Sequence, residues 1–138
     1  EPSAPTGNSS IALNNFFYLQ YEIPLGISDV QVIKGDLHIK IGSETDRYEG
    51  LNGRTNTLNG IIGTFDEEGV FGSPYVDSVR TSIQDDTKDA LQVVYFHHDH
   101  SIEQAGKMLE AISKMFIQVH GGDSSIYLVS HENQKIDI

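Results

Sequence analysis

The chain has 138 residues, enough for one domain with a single hydrophobic core and too few for two. Its 9 lysines and arginines stand against 20 aspartates and glutamates, a net charge of −11 with a sequence pI near 4.7. That balance excludes a basic surface able to hold nucleic acid or an anionic membrane by charge alone. The absence of cysteine excludes disulfides, thiolate nucleophiles and thiolate metal sites, and no apolar run reaches membrane-spanning length, so the cytoplasm is the expected compartment.

The first ten residues, EPSAPTGNSS, are poor in apolar side chains and are expected to form a disordered lead-in. The start without methionine suggests a fragment whose N-terminal segment is missing. Asn8-Ser9-Ser10 matches a glycosylation sequon, read here as chance. Residues 11–21, IALNNFFYLQY, are apolar at most positions and fit a strand or a short buried helix equally well, and Pro24 ends the segment. Residues 25–29 and 34–36 read as turns. Residues 37–41, LHIKI, alternate as a half-buried strand should, with His38 on the solvated side.

From Gly42 to Gly69 the turn signals are dense, leaving room for short strands near residues 47–51, 55–58 and 61–65. Asn52-Gly53 and Asn59-Gly60 suit type I′ hairpin turns. No glycine run has the spacing of a phosphate cradle, and no cofactor is implied.

Residues 66–94 carry the densest polar chemistry. Gly72-Ser73-Pro74 breaks any regular element, and Ser73, Asp77, Ser78, Arg80, Thr81 and Thr87 crowd donors and acceptors into one segment before a strand at 91–96. This is either a pocket wall or a long loop capped by its own side chains. Arg80 either pairs with Asp77 or grips a carboxylate or phosphate of a ligand. His97-His98-Asp99-His100 reads as a solvated loop and not as a metal site, because adjacent residues point in different directions.

Ser101-Ile102-Glu103-Gln104 is a capping box opening a helix whose apolar stripe runs from Ile102 through Ala105, Met108, Leu109, Ile112, Met115 and Phe116 to Val119. Gly121-Gly122 stops it. Residues 125–130 form a last strand and 131–138 a polar tail. The domain proper is thus expected at 11–130, as an α+β fold: mostly an antiparallel β-sandwich of short strands with one long flanking helix.

The succession NNFFYLQYEIPLG, KGDLHIKIG, a Gly/Asn hairpin region, DEEGV and SVRTSIQDDTKDALQVV resembles the B3/B4 domain of the phenylalanyl-tRNA synthetase β subunit. It is closest to stand-alone B3/B4-like proteins, which share the FGSP turn of Gly72, Ser73 and Pro74 followed by DS-x-RT. The resemblance spans about residues 14–129 and implies a β-sandwich flanked by helices, with a pocket that in synthetases hydrolyses mischarged tyrosyl-tRNA. It also implies tRNA or an amino-acid-like small molecule as partner.

Three positions of that pocket depart from the family pattern. Asn14 stands where the family has threonine before the asparagine matching Asn15, Gly26 where it has histidine, and Ser82 where it has glutamate. These departures remove groups that position the ester and read the tyrosine hydroxyl. The resulting expectation is a binding module in which Asn14, Asn15, Ser73, Asp77, Arg80 and Thr81 orient the ligand. The alternative is a free-standing aminoacyl-tRNA deacylase using Asp77, Ser73 or Thr81.

Overall fold

The computed structural model describes residues 7–130, 136 and 137; the rest of the lead-in and of the tail lies outside the described residues. The stretch that fitted either strand or helix is a helix, α1 (Gly7–Tyr21), which begins inside the expected lead-in. Asn14 and Phe17, three residues apart, share its buried face, while Phe16, Tyr18 and Leu19 are exposed. Apolar residues thus lie on both sides of α1, which is why no helical period was legible. Glu22 ends it in the left-handed region at φ 56°, donating its N–H to Tyr18 O at 2.8 Å.

Residues 25–29 correct the sequence reading: they form a strand, β1 (Leu25–Asp29), not a turn. β1 pairs antiparallel with β7 (Ala90–Val94), Leu25 opposite Val94 and Asp29 opposite Ala90. Glycine and proline mislead here because Gly26 serves close packing and not a turn. A single 3-10 turn (Val30–Val32) follows, capped by Asp29, which accepts the Gln31 N–H at 2.9 Å.

A three-stranded antiparallel sheet joins β2 (His38–Ile41), β5 (Ile62–Asp66) and β6 (Gly69–Gly72) in the order β2-β5-β6. β2 is an edge strand exposed at all four residues, a correction to its half-buried expectation. The hairpin of β3 (Arg47–Glu49) and β4 (Thr55–Thr57) brings Tyr48 and Leu58 against Phe65 and Val70, the core cluster, with Ile61 and Val76 packed on it. The Asn-Gly turns are not type I′, because only the glycines take positive φ, 79° at Gly53 and 74° at Gly60. Asn52 instead accepts the Arg54 N–H through its side chain at 3.1 Å.

The capping box forms as expected: Ser101 Oγ accepts the Gln104 N–H at 3.1 Å and Gln104 Oε1 accepts the Ser101 N–H at 3.0 Å. It opens α2 (Ile102–His120), which buries Ala105 and Ile112 and ends at Gly121, φ 81°. His120 meets Ser9 Oγ at 2.9 Å through Nε2, a link from α2 back to α1. In the expected polar tail, β9 (Ile136–Asp137) pairs with β8 (Tyr127–Leu128). The fold is α+β with antiparallel sheets, as expected, and the described residues carry two α-helices, the long one expected and α1. No helix among the described residues is long and apolar enough to cross a membrane.

Arg80 reaches neither Asp77 nor a ligand pocket; it binds Asp66. Its Nη1 and Nη2 donate to the two Asp66 oxygens at 3.0 and 2.9 Å, and the same carboxylate accepts the N–H groups of Lys34 and Glu68, each at 2.9 Å. Burial raises the Asp66 pKa, but these four donors outweigh it and hold the group below the usual carboxylate range. Stability from this group is therefore present at neutral pH and is lost as the pH falls through the depressed pKa. Arg80→Ala leaves a carboxylate with no exposed side-chain surface unpaired and is expected to cost about 3 kcal/mol in urea denaturation at neutral pH. Arg80→Lys is expected to recover only part of this, because an ammonium cannot match the two-point contact.

Candidate functional site

A cavity of about 240 Å³ opens between α1, β1 and the loop that follows β6. Ile11, Asn14 and Asn15 line it from α1, Leu25 and Ile27 from β1, Ser73 to Asp77 from the loop, with Leu51 and Ile83 completing the wall. The volume is below the roughly 300–1,000 Å³ of drug-sized sites, so it suits a group of amino-acid size. Asp77 is the charged side chain among these residues.

Its position follows from Gly26. A Cβ on that glycine would stand 2.7 Å from Asp77 Oδ1, so the carboxyl occupies space that any other residue would fill. Oδ2 accepts the Ile27 N–H at 3.3 Å. Burial pushes the Asp77 pKa up to about 6, against the smaller lowering effect of that N–H. No cation forms an ion pair with Asp77 among the described residues.

Two tyrosines stand behind the carboxyl. Burial raises the pKa of both Tyr48 and Tyr95, and the charge of Asp77 adds to the shift in each. Tyr48 donates to Val76 O at 2.6 Å and meets Ser73 Oγ at 2.8 Å; Tyr95 meets Thr64 Oγ1 at 2.8 Å. Since the Tyr48 proton goes to Val76, Ser73 donates to Tyr48, and Ser73 Oγ also accepts the Tyr75 N–H at 3.2 Å. The Ser73 hydroxyl therefore has its proton committed to Tyr48.

The residues singled out from the sequence divide in two. Asn14, Asn15, Ser73, Pro74 and Asp77 line the cavity and Gly26 underlies it. The Asn14 amide is itself a joint, donating to Leu25 O at 3.2 Å and accepting from Gln92 Nε2 at 2.7 Å. Gly72, Ser78, Arg80, Thr81, Ser82 and Thr87 are not in the lining. Ser78 caps the Arg80 N–H at 3.0 Å, buried Thr81 meets Ser28 at 3.2 Å, Ser82 donates to Val79 O at 3.0 Å, and Thr87 donates to Asp29 at 2.8 Å. Gly72 carries no side chain, and a Cβ there would stand 3.7 Å from the Tyr95 hydroxyl.

Sequence reasoning missed Ile11, Leu25, Ile27, Leu51, Tyr75, Val76 and Ile83 of the lining, and Tyr48 and Tyr95 behind Asp77. Reading residues 25–29 as a strand would have signalled Leu25 and Ile27. At the β7–α2 turn, the exposed side chains of His97, His98 and Asp99 bring ligand atoms within 4.8 Å of one another. Asp99 pairs with both imidazoles, at 3.3 and 3.2 Å.

An acid with a raised pKa favours folding below the unfolded value near 3.8 and loses that contribution as the pH rises through about 6. Asp77→Asn keeps an acceptor for Ile27 and removes the buried charge. Relative to the parent chain, it is expected to gain about 1–3 kcal/mol of stability between pH 4 and pH 8, measured by denaturation at both ends. Gly26→Ala is expected to destabilise at any pH by displacing the Asp77 carboxyl, and to do so less in the Asp77→Ala background.

The B3/4 domain family profile matches residues 4–119. The uncharacterized protein YhzB of Bacillus subtilis (strain 168) is 27% identical over 114 residues, covering 82% of this chain and 48% of that protein. Phenylalanine–tRNA ligase beta subunits are 24% identical over 140 residues in Paramagnetospirillum magneticum and 29% identical over 110 residues in Bartonella quintana. Those alignments cover 83% and 77% of this chain but 18% and 13% of the ligase subunits. The chain therefore spans about half the length of YhzB and a small part of the ligase subunits. With most of its length matched by the profile, the chain belongs to the B3/4 domain family.

Proposed function

We propose that this chain is a binding module that recognises an amino-acid-like group, free or carried on the end of a tRNA, and that it lacks editing activity. The observation that carries the reading is the small, largely apolar cavity with Asp77 in its wall. Family membership supports the ligand class, since relatives include subunits of a ligase named for phenylalanine and tRNA. The net charge of −11 favours recognition through the cavity over a broad grip on phosphates. A cysteine-free chain fits the cytoplasm as its working compartment.

Absence of catalysis is supported by the hydroxyls. Ser73 is engaged by Tyr48 and Tyr75, Thr81 is buried on Ser28, and no imidazole among the described residues lines the cavity to activate either one. One observation favours the second reading, a deacylase acting in trans: a carboxyl with a pKa of about 6 can serve as a general base toward water.

Incubating the chain with a panel of mischarged tRNAs, while recording binding in parallel, separates the two. Binding without release of the amino acid is the expected result. Release that disappears in Asp77→Asn would establish the deacylase.

A further inference from the structure

The cavity has an electrostatic asymmetry that narrows its ligands. Among the described residues its wall carries one carboxylate and no lysine, arginine or histidine. The nearest arginine in sequence, Arg80, is committed to Asp66. Of the two Asp77 oxygens, Oδ2 is held by the Ile27 N–H, while no donor among the described residues is paired with Oδ1. Asp77 is half-buried in the wall, and a cation entering the cavity gains an ion pair with an oxygen that no described donor holds. A zwitterion brings a second carboxylate that the wall cannot neutralise and that Asp77 repels.

Resting on the reading that this cavity takes an amino-acid-like group, we propose that Asp77 is its specificity-determining residue. The cavity takes small organic monocations, an ammonium on an apolar body, and rejects molecules that also carry a free carboxylate. The ammonium sits on Oδ1 above Gly26, and the apolar body lies against Ile27, Leu51 and Ile83. The charged groups facing Asp77 do not compete for it. Tyr48 and Tyr95 both have pKa values raised above the ordinary tyrosine range and stay neutral, so Asp77 alone sets the pH response.

The test is a calorimetric and amide-NMR titration of the whole chain with 2-phenylethylamine, phenylalaninamide and phenylalanine at about pH 7.5. The amine and the amide are expected to bind, with phenylalanine at least about tenfold weaker. Asp77→Asn, which keeps the Ile27 contact, is expected to weaken amine binding by about ten- to a hundredfold. At about pH 5, where most of Asp77 is protonated, the amine is expected to bind about tenfold more weakly in the parent chain but not in the variant.

Equal affinity for phenylalanine and its amide, or an Asp77→Asn variant that binds the amine unchanged, overturns the proposal. In either case shifts at the Leu51, Tyr75 and Ile83 amides still report an occupied cavity. If none of the three probes shifts those amides, the cavity reading falls and this inference falls with it.

Discussion

The Asp66 carboxylate is the joint on which the rest of the molecule depends. It stands at the end of β5 and gathers the N–H of Lys34 from the segment before β2, the N–H of Glu68 from the β5–β6 turn, and both ends of the Arg80 guanidinium. Three pieces of chain are thereby held together. The loop after β6, which walls the cavity, is bounded on one side by this joint. Arg80 fixes its far end, lying over the Phe71 ring with 5.9 Å to the centroid.

Asp66 and Asp77 show how environment assigns opposite properties to one side-chain type. Asp66 has four donors and no exposed side-chain surface, and its pKa falls. Asp77 has one donor and a cavity before it, and its pKa rises to about 6. The first arrangement is satisfied and serves architecture. The second has one oxygen that no described donor holds, and carboxylates with raised pKa values in cavities are where binding and chemistry concentrate.

What the sequence disclosed follows the same division between local and non-local causes. The capping box of Ser101 and Gln104, the glycine stop at Gly121 and the short strands 47–49, 55–57 and 62–66 are set by neighbours in sequence, and they were legible. β1 was not, because its strand character comes from pairing with β7, distant in the sequence, and its Gly26 looks like a turn residue. The partner of Arg80 was misjudged for the same reason: Asp77 is nearer in sequence, while Asp66 is nearer in space. The site itself was half visible. Asn14, Asn15, Ser73, Pro74 and Asp77 stood out as polar or turn-forming residues, whereas the apolar wall of Ile27, Leu51 and Ile83 looks like any core.

The space shared by Gly26 and the Asp77 carboxyl makes two distant positions a single variable. A side chain at 26 and the Asp77 carboxyl in its present position are alternatives for one volume, so the histidine that the family resemblance places at 26 requires that carboxyl to turn away. Relatives should therefore divide into two sets, one with glycine and aspartate and one with a large residue at the first position and a small one at the second. The charge of the pocket is in this sense inherited as a pair, and a change of ligand within the family would pass through both positions together.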